Sequence, residues 1–437
     1  MQRFLISTLP LLCFFVVVNS SQADNWPQWR GPTGDGVIEE TEVPTEWDEE
    51  SGVQWKCPLP GWGDSTPAIW GDAVFVTSCV DEESLVLLKI NKKTGEVEWT
   101  RQVGTATALR VKVLKKVPEM RRHQQFHDSH NMASPSPTTD GELVIAHFGN
   151  GDLAAYDFQG NLLWKRNLQQ DHGDYTIWWG HANSPVLHGD LVISVCMQDS
   201  CSDLPGDVSP SYVVAHDKRT GKQKWKTMRM TSARGEHGDG YTTPLLRHAG
   251  ERTELIVMGG QMLDAYDPAT GKQLWRLSDL DGNRVIPNPI VADQLIIATQ
   301  GMRQAMLAIR PSGDGDLSRK DIVWSFDQGT SDSPSPVVWE DFVFFISNNG
   351  IARCLDLHTG QEHWKERLAG EYRASLLAAD GKVYFFNMDG LATVVSASKD
   401  FRRLSENQLQ DRTLASPAVS DGTIFVRGRT SLYCLSQ

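Results

Sequence analysis

Residues 265–275 of this chain read AYDPATGKQLW, and an apolar stretch that opens with Thr242-Thr243-Pro244 precedes them. The same phrase returns eight times along the 437 residues, at a period of about 40 to 50 residues with several short strands in each period. A period of this length is typical of β-propellers, in which each repeat forms one blade. We therefore predict an all-β fold, an eight-bladed β-propeller.

Each part of the phrase has a structural reason. The proline at the strand opening cannot donate to a β-ladder, which favours a strand with a free edge, such as the innermost strand of a blade. Gly271 can take the positive φ of a tight hairpin, and Trp275, four residues later, closes the outer strand. We expect this tryptophan to pack between neighbouring blades, and the equivalent repeat residues are Trp55, Trp99, Trp164, Trp225, Trp275, Trp324 and Trp364.

Eight strand openings can be counted, and two blades are imperfect. The openings are Ser65-Thr66-Pro67, Ser134-Pro135, Ser184-Pro185, Thr243-Pro244, Asn288-Pro289, Ser333-Pro334, Ala374-Ser375 and Ser416-Pro417. The seventh blade has Leu404 where the tryptophan belongs, and the eighth stops at Leu432–Leu435, before its fourth strand. Residues 52–56, with Trp55, are predicted to supply that strand and close the ring, which removes exposed sheet edges.

The N-terminus has the pattern of a secretory signal. Arg3 precedes an apolar run that ends before Ser21-Gln22-Ala23. We predict a signal peptide over 1–23, an N-terminal extension over 24–46 and the propeller over 47–437. Cleavage near Ala23 would leave an exported chain, periplasmic or secreted, with no transmembrane segment.

Charge and cysteine content restrict the partners and the redox state. Loss of Arg3 changes the formal charge from −13 to −14, and an acidic surface of this kind disfavours nucleic acid. We expect a monomer. Cys196 and Cys201 are close enough in sequence for a disulfide, and the bridged and the free states both stay open.

The AxDxxTGxxxW phrase resembles the tryptophan-docking repeat of pyrroloquinoline-quinone (PQQ) dehydrogenases and of the outer-membrane assembly lipoprotein BamB. Residues 26–32, WPQWRGP, look like the start of a group of exported PQQ-like repeat proteins. The resemblance covers nearly the whole mature chain and implies the propeller fold. Its chemical implications are weaker, because the repeat is scaffold and function depends on the site built on it.

Quinone enzymes of that group need a vicinal disulfide, a tryptophan platform and a calcium ion held by carboxylates and amides. This sequence has no Cys-Cys pair and no CxxCH haem motif. We therefore expect no cofactor, and PQQ is kept as the alternative.

The longest departure from the repeat lies between Trp99 and Ser134. Its basic part, residues 110–122, could receive an anionic partner, or it could be a solvated loop. His123, His127 and His130 have spacings that suit a metal on one helical face, but Gln124 stands where a zinc protease of the HExxH type has glutamate. We predict no metal site, and a metal-assisted hydrolase remains an alternative.

Polar and aromatic residues gather before successive strand openings. In a propeller these openings converge on one end of the channel, where a concave funnel is the usual ligand site. The alternative explanation is that channel mouths are polar because water enters them. The candidate ligand-binding residues are His130, Asn131, Trp179, His181, Asn183, Asn288, Asp332, Tyr372 and Arg373.

Together these observations predict an exported, non-catalytic propeller. It would serve as a binding or scaffolding module for a protein, peptide or glycan partner in the cell envelope. The alternative class is an enzyme, either a degenerate PQQ-dependent oxidoreductase or the metal-assisted hydrolase, and no catalytic residue is assigned.

Overall fold

The computed structural model describes residues 25–39, 42–106, 124–198 and 211–437. These residues form eight β-sheets of four or five strands. In several neighbouring pairs of blades the first strands contact each other, including those of the first and last blades, so the sheets form a ring around a central channel. The predicted eight-bladed propeller is therefore confirmed.

Within each blade the four main strands are antiparallel and are arranged outwards from the channel in chain order, apart from the outermost strand of the eighth blade. The first blade consists of β3 Ala68–Trp70, β4 Ala73–Val80, β5 Ser84–Asn91 and β6 Val97–Thr105, and the second of β7 Thr138–Thr139, β8 Leu143–His147, β9 Asp152–Asp157 and β10 Leu162–Asn167. The third blade consists of β11 Val186–His188, β12 Leu191–Cys196, β13 Tyr212–Asp217 and β14 Gln223–Met228, and the fourth of β15 Leu245–Ala249, β16 Arg252–Gly259, β17 Met262–Tyr266 and β18 Gln273–Leu277. The fifth blade consists of β19 Ile290–Ala292, β20 Leu295–Thr299, β21 Met306–Ile309 and β23 Ile322–Phe326, and the sixth of β24 Val337–Trp339, β25 Phe342–Ile346, β26 Ile351–Asp356 and β27 Glu362–Arg367. The seventh blade consists of β28 Leu377–Ala379, β29 Lys382–Phe386, β30 Leu391–Ser396 and β31 Arg403–Gln408, and the eighth of β32 Ala418–Ser420, β33 Thr423–Arg427, β34 Ser431–Leu435 and β2 Val53–Pro58.

Two short strands and three short helices complete the description. Strand β1, Val37–Ile38, pairs in parallel with β28, and β22, Gly315–Asp316, pairs in parallel with β18. The helices are α1 at Leu168–His172 and 3-10 turns at Gly235–Gly238 and Arg319–Asp321. Among the described residues, no helix is long and apolar enough to cross a membrane.

The N-terminal strand closes the ring as predicted. β2 pairs antiparallel with β34, so the first part of the chain supplies the outer strand of the eighth blade. Trp47 lies in the same core cluster as the seventh and eighth blades, and it stacks on Tyr384 and Phe386. Leu404, at the missing tryptophan position, is partly buried against this core, and the N-terminal segment adds an aromatic side chain there.

The repeat tryptophans join each blade to the next. The indole N–H of Trp164 donates to the carbonyl of Lys218 in the third blade at 2.8 Å, and an added Cβ on Gly221 would lie 2.6 Å from the same ring. The same indole-to-carbonyl bond is made by Trp55, Trp99, Trp225, Trp324 and Trp364. Trp275 differs because its N–H donates to Glu254 in its own blade. At this joint the longer turn of the fifth blade pairs with β18 through the short strand β22.

A ring of hydrogen bonds surrounds the channel at the strand openings. In seven steps the backbone N–H of the opening residue in one blade donates to a side-chain oxygen of the opening residue in the next blade, at 2.7 to 3.1 Å. Thr66 closes the ring by donating its hydroxyl to the carbonyl of Ser416. The members are Thr66, Ser136, Ser184, Thr243, Asn288, Ser335, Ser375 and Ser416.

This ring corrects two predicted openings. In the second and sixth blades the equivalent residues are Ser136 and Ser335, two positions after the predicted Ser134 and Ser333. Both segments contain two consecutive Ser-Pro steps, so the pattern alone does not fix the register. The hydrogen bonds between blades select the second step.

Residues 25–38, which we call the N-terminal plug, cross the channel on the far side of the ring. Trp26 bridges Ile69 of the first blade, and the carbonyl of Pro27 accepts from Thr139 of the second. The guanidinium of Arg30 donates to the carbonyl of Pro336 in the sixth blade. The plug therefore lies against inner strands from several blades and leaves the channel open towards the strand openings.

Candidate functional site

A cavity of about 370 Å³ lies on the face formed by the segments that precede the inner strands. Every blade contributes at least one side chain to its wall. Cavities of this size and position are the usual ligand sites of such folds. In blade order, the wall residues used below are Asp64, His127, His130, Trp179, Glu236, Tyr241, Arg284, Ile286, Asp332, Arg373 and Leu414.

Four of the nine predicted site residues line this cavity: His130, Trp179, Asp332 and Arg373. They come from four different blades, so the expected convergence of strand openings brings them together. Their role in binding stays a prediction.

The other five lie behind the wall and hold the scaffold. Asn288 is a member of the hydrogen-bond ring, and Asn183 donates to the carbonyls of Gly240 and Thr242. His181 is fully buried against the carbonyl of Val195. The last two also bond to backbone: Asn131 donates to the carbonyl of Trp62, and the hydroxyl of buried Tyr372 donates to the carbonyl of Ala369.

The polar wall contains a chain of charged groups. The indole N–H of Trp179 donates to Glu236 at 3.1 Å, and Glu236 lies 3.6 Å from the guanidinium of Arg284. Arg284 donates in turn to Oδ2 of Asp332 at 3.2 Å. One guanidinium therefore lies between two carboxylates and balances part of their charge.

Arg373 is the most available cation of the wall. Its side chain is about one quarter exposed, and its ion pair with the exposed Glu371 is long, at 3.8 Å. One of its N–H groups donates to the neighbouring carbonyl of Tyr372. The remaining donors of the planar guanidinium suit a carboxylate or a carbonyl of a ligand.

His127 and His130 have different environments. His130 contacts the carbonyl of Trp179 through Nε2 at 2.6 Å and the hydroxyl of Ser134 through Nδ1 at 3.4 Å. Burial lowers the pKa of His130 to about 4, so the ring is neutral at pH 7. His127 is exposed, and its Nδ1 pairs with Ser129. Both nitrogens of His130 are thus engaged, and the predicted His123 lies outside the described residues.

Asp64 is a site residue that the sequence analysis missed. Oδ2 of its side chain is buried without a hydrogen-bond partner. Burial raises the pKa of Asp64 to about 6, against the opposing charges of Arg427, Arg429 and Arg412. Burial also lowers the pKa of Arg427 to about 10. No local signal marks this pair, because its members lie in the first and eighth blades and meet only on ring closure.

Tyr241, Glu236 and Arg284 are further wall residues absent from the predicted site set. Tyr241 was visible in the sequence beside an opening, and its hydroxyl accepts from the backbone N–H of Trp179. Burial raises the pKa of Tyr241, which therefore stays protonated. Glu236 and Arg284 stand several residues before their openings, where position alone gives no indication that they face the channel.

Glu236 and Asp332 in the wall are not arranged to hold a divalent metal ion. Glu236 and Asp332 already share Arg284, whose positive charge opposes a divalent cation between them. Within the described ranges, no group of three histidine, cysteine or acidic side chains could hold a metal ion. The described cysteines, at positions 57, 79, 196, 354 and 434, are all buried and form no bridge with one another. Cys201 lies outside those ranges, so its bridge to Cys196 is untested.

The fold and the cavity define the class as an eight-bladed propeller with a central, ligand-sized site. The family model described as outer membrane protein assembly factor BamB matches residues 37–204 and 209–400. The chain belongs to this family.

Solved structures agree with the fold. BamB from Moraxella catarrhalis is 13% identical, with a TM-score of 0.58, over 88% of this chain and 99% of that one. Quinohemoprotein alcohol dehydrogenase from Comamonas testosteroni is 12% identical, with a TM-score of 0.69, over 95% and 81%. A europium-containing methanol dehydrogenase is 12% identical, with a TM-score of 0.66, over 92% and 89%. No curated protein sequence matches the chain.

Proposed function

We propose that this protein is an exported, non-catalytic binding module of the cell envelope, and that its partner enters the central cavity. The observation that carries the proposal is the cavity itself, whose wall takes side chains from all eight blades. A site of that kind depends on the complete ring and cannot be a property of one local loop.

Family membership supports the binding role. The family model is described as an outer membrane protein assembly factor, a description that fits a binding role better than a catalytic one. By analogy we place this chain in the periplasm or outside the cell, in contact with a protein, peptide or glycan partner. Residues 1–23 would direct its export.

The wall offers two anchors for a partner. Trp179 is partly buried and presents an aromatic surface, and Arg373 has spare donors. Tryptophan and arginine are enriched among the residues that dominate binding energy. Charged Arg284 is already paired, so it contributes to the shape and polarity of the wall more than to capture.

The test is capture of envelope material on immobilised protein, with bound proteins and glycans both analysed. Arg373→Ala and Trp179→Ala should each weaken capture by about 1 to 3 kcal/mol, the range for a lost charged hydrogen bond or a central aromatic contact. Thermal unfolding should change little. Arg219→Ala, on an exposed turn away from the cavity, is the matched control and should capture as the parent does.

Equal capture by the parent and both cavity variants would contradict the proposal. Unfolding of both variants would show that Trp179 and Arg373 are structural. In that case Trp179→Phe, which keeps the aromatic bulk but removes the bond to Glu236, should still fold and still bind if the proposal is correct.

A further inference from the structure

Two carboxylate oxygens in the cavity have no hydrogen-bond donor. Oδ2 of Asp64 and Oδ1 of Asp332 are buried and unpartnered, and both residues line the wall. A buried acceptor left without a donor is costly. A ligand whose donors reached both oxygens would remove this cost.

One oxygen of each carboxylate, in Asp64 and in Asp332, lacks a hydrogen-bond donor, but positive charge is already present near both of them. Asp332 and Glu236 share Arg284, and Asp64 lies in the field of buried Arg427. Arg412 and Arg429 add further positive charge near Asp64. A cationic ligand would therefore meet guanidinium groups as well as carboxylates, whereas a neutral ligand with hydroxyl groups would meet no net repulsion.

The rest of the wall suits the same chemistry. Ile286 and Leu414 provide apolar surface in the same wall as the aromatic ring of Trp179, against which the C–H face of a sugar ring can pack. Arg373 has N–H groups that can donate to ring or hydroxyl oxygens. Each hydroxyl both donates and accepts, so it can satisfy a carboxylate and a guanidinium in turn.

We propose that the cavity binds a neutral carbohydrate whose hydroxyl groups donate to Asp64 and Asp332. This inference rests on the proposed function, since it names the ligand class of the same cavity. It selects the glycan from among the partners that the sequence left open.

The experiment is calorimetric titration of the full mature chain with neutral disaccharides: cellobiose, maltose and N,N′-diacetylchitobiose. Nα-acetyl-lysine methylamide serves as the cationic probe and glutarate as the anionic one. At least one disaccharide should bind, and Asp64→Asn and Asp332→Asn should each weaken it about tenfold or more, because an amide removes one charged acceptor oxygen. Asp190→Asn makes the same change at a largely exposed position outside the cavity and should leave the affinity unchanged.

Binding of none of the three disaccharides overturns the inference, and so does binding of the lysine or glutarate probe in their place. Disaccharide binding that is equal in the parent and in both cavity variants also overturns it. Asp64→Asn also removes the negative charge that faces buried Arg427, so its unfolding temperature is measured alongside, and Asp332→Asn keeps the affinity result interpretable if Asp64→Asn is destabilised. If the Arg373 and Trp179 variants lose partner capture but no disaccharide binds, the binding module stands and only the ligand class fails.

Discussion

At the scale of single residues, the molecule places many polar side chains where water cannot reach them. His147 and His181 lie in contact between the second and third blades, with ring centroids 4.7 Å apart, and Tyr175 stacks on His181 at 4.5 Å. Burial lowers the pKa of His181 to about 4, and burial together with the neighbouring His181 holds the pKa of His147 well below its usual value. Both rings are therefore neutral in the folded protein at pH 7.

Because these histidines are neutral in the folded protein, we predict that its free energy of unfolding falls in acid. Because the folded pKa lies below the unfolded value of about 6.5, the unfolded chain binds more protons between those values, and the free energy of unfolding falls as the pH falls from 6.5 towards 4. The contribution of His181 is about 3 kcal/mol over that range. His181→Gln, measured by urea unfolding at several pH values, should show a shallower loss of stability than the parent, each protein being compared with itself at pH 7.5. A slope equal to the parent's would mean that His181 is not the titrating group.

At the scale of elements, the repeat phrase acts as a joint between blades. In four of the joints the glycine of the turn leaves room for the tryptophan of the preceding blade, whose indole N–H bonds to a carbonyl of the same turn. Gly221 and Trp164 show this contact, and Gly271 and Trp225 repeat it. This part of the fold was predictable from the sequence because each joint depends on a few residues at fixed spacing.

The joint can be tested with two glycines of the third blade. Gly221 and Gly189 both have positive φ, at 67° and 56°, but an added Cβ meets the Trp164 ring only at Gly221, whereas Gly189 has open space. Gly189→Ala should cost about 1 to 2 kcal/mol for the backbone conformation alone. Gly221→Ala should cost at least 1 kcal/mol more, because the tryptophan must move. Equal losses in thermal or urea unfolding would show that the tryptophan does not depend on this glycine.

At the scale of the whole molecule, ring closure creates features that no segment carries alone. The number of openings and the closing strand were predictable because they recur or complete a recurring unit, although two openings were placed two residues too early. The position of the cavity was predictable from the sequence, but only some of the residues that line it were. Asp64 and Arg427 meet across the closure of the ring, and residues 25–38 contact blades that are hundreds of positions away. Long-range packing decides these contacts, and a single sequence does not display it.

The central claim is that the partner occupies the cavity, and site-specific photo-crosslinking tests it most directly. A benzophenone amino acid at position 127, where exposed His127 lines the cavity, should crosslink to partner material in an envelope fraction. The same group at exposed Val323, on the outer strand of the fifth blade, should give no such product. Arg373→Ala in the position-127 protein should reduce the yield. A product that forms from position 323 and not from position 127 would contradict the account and move the binding surface to the outside of the ring.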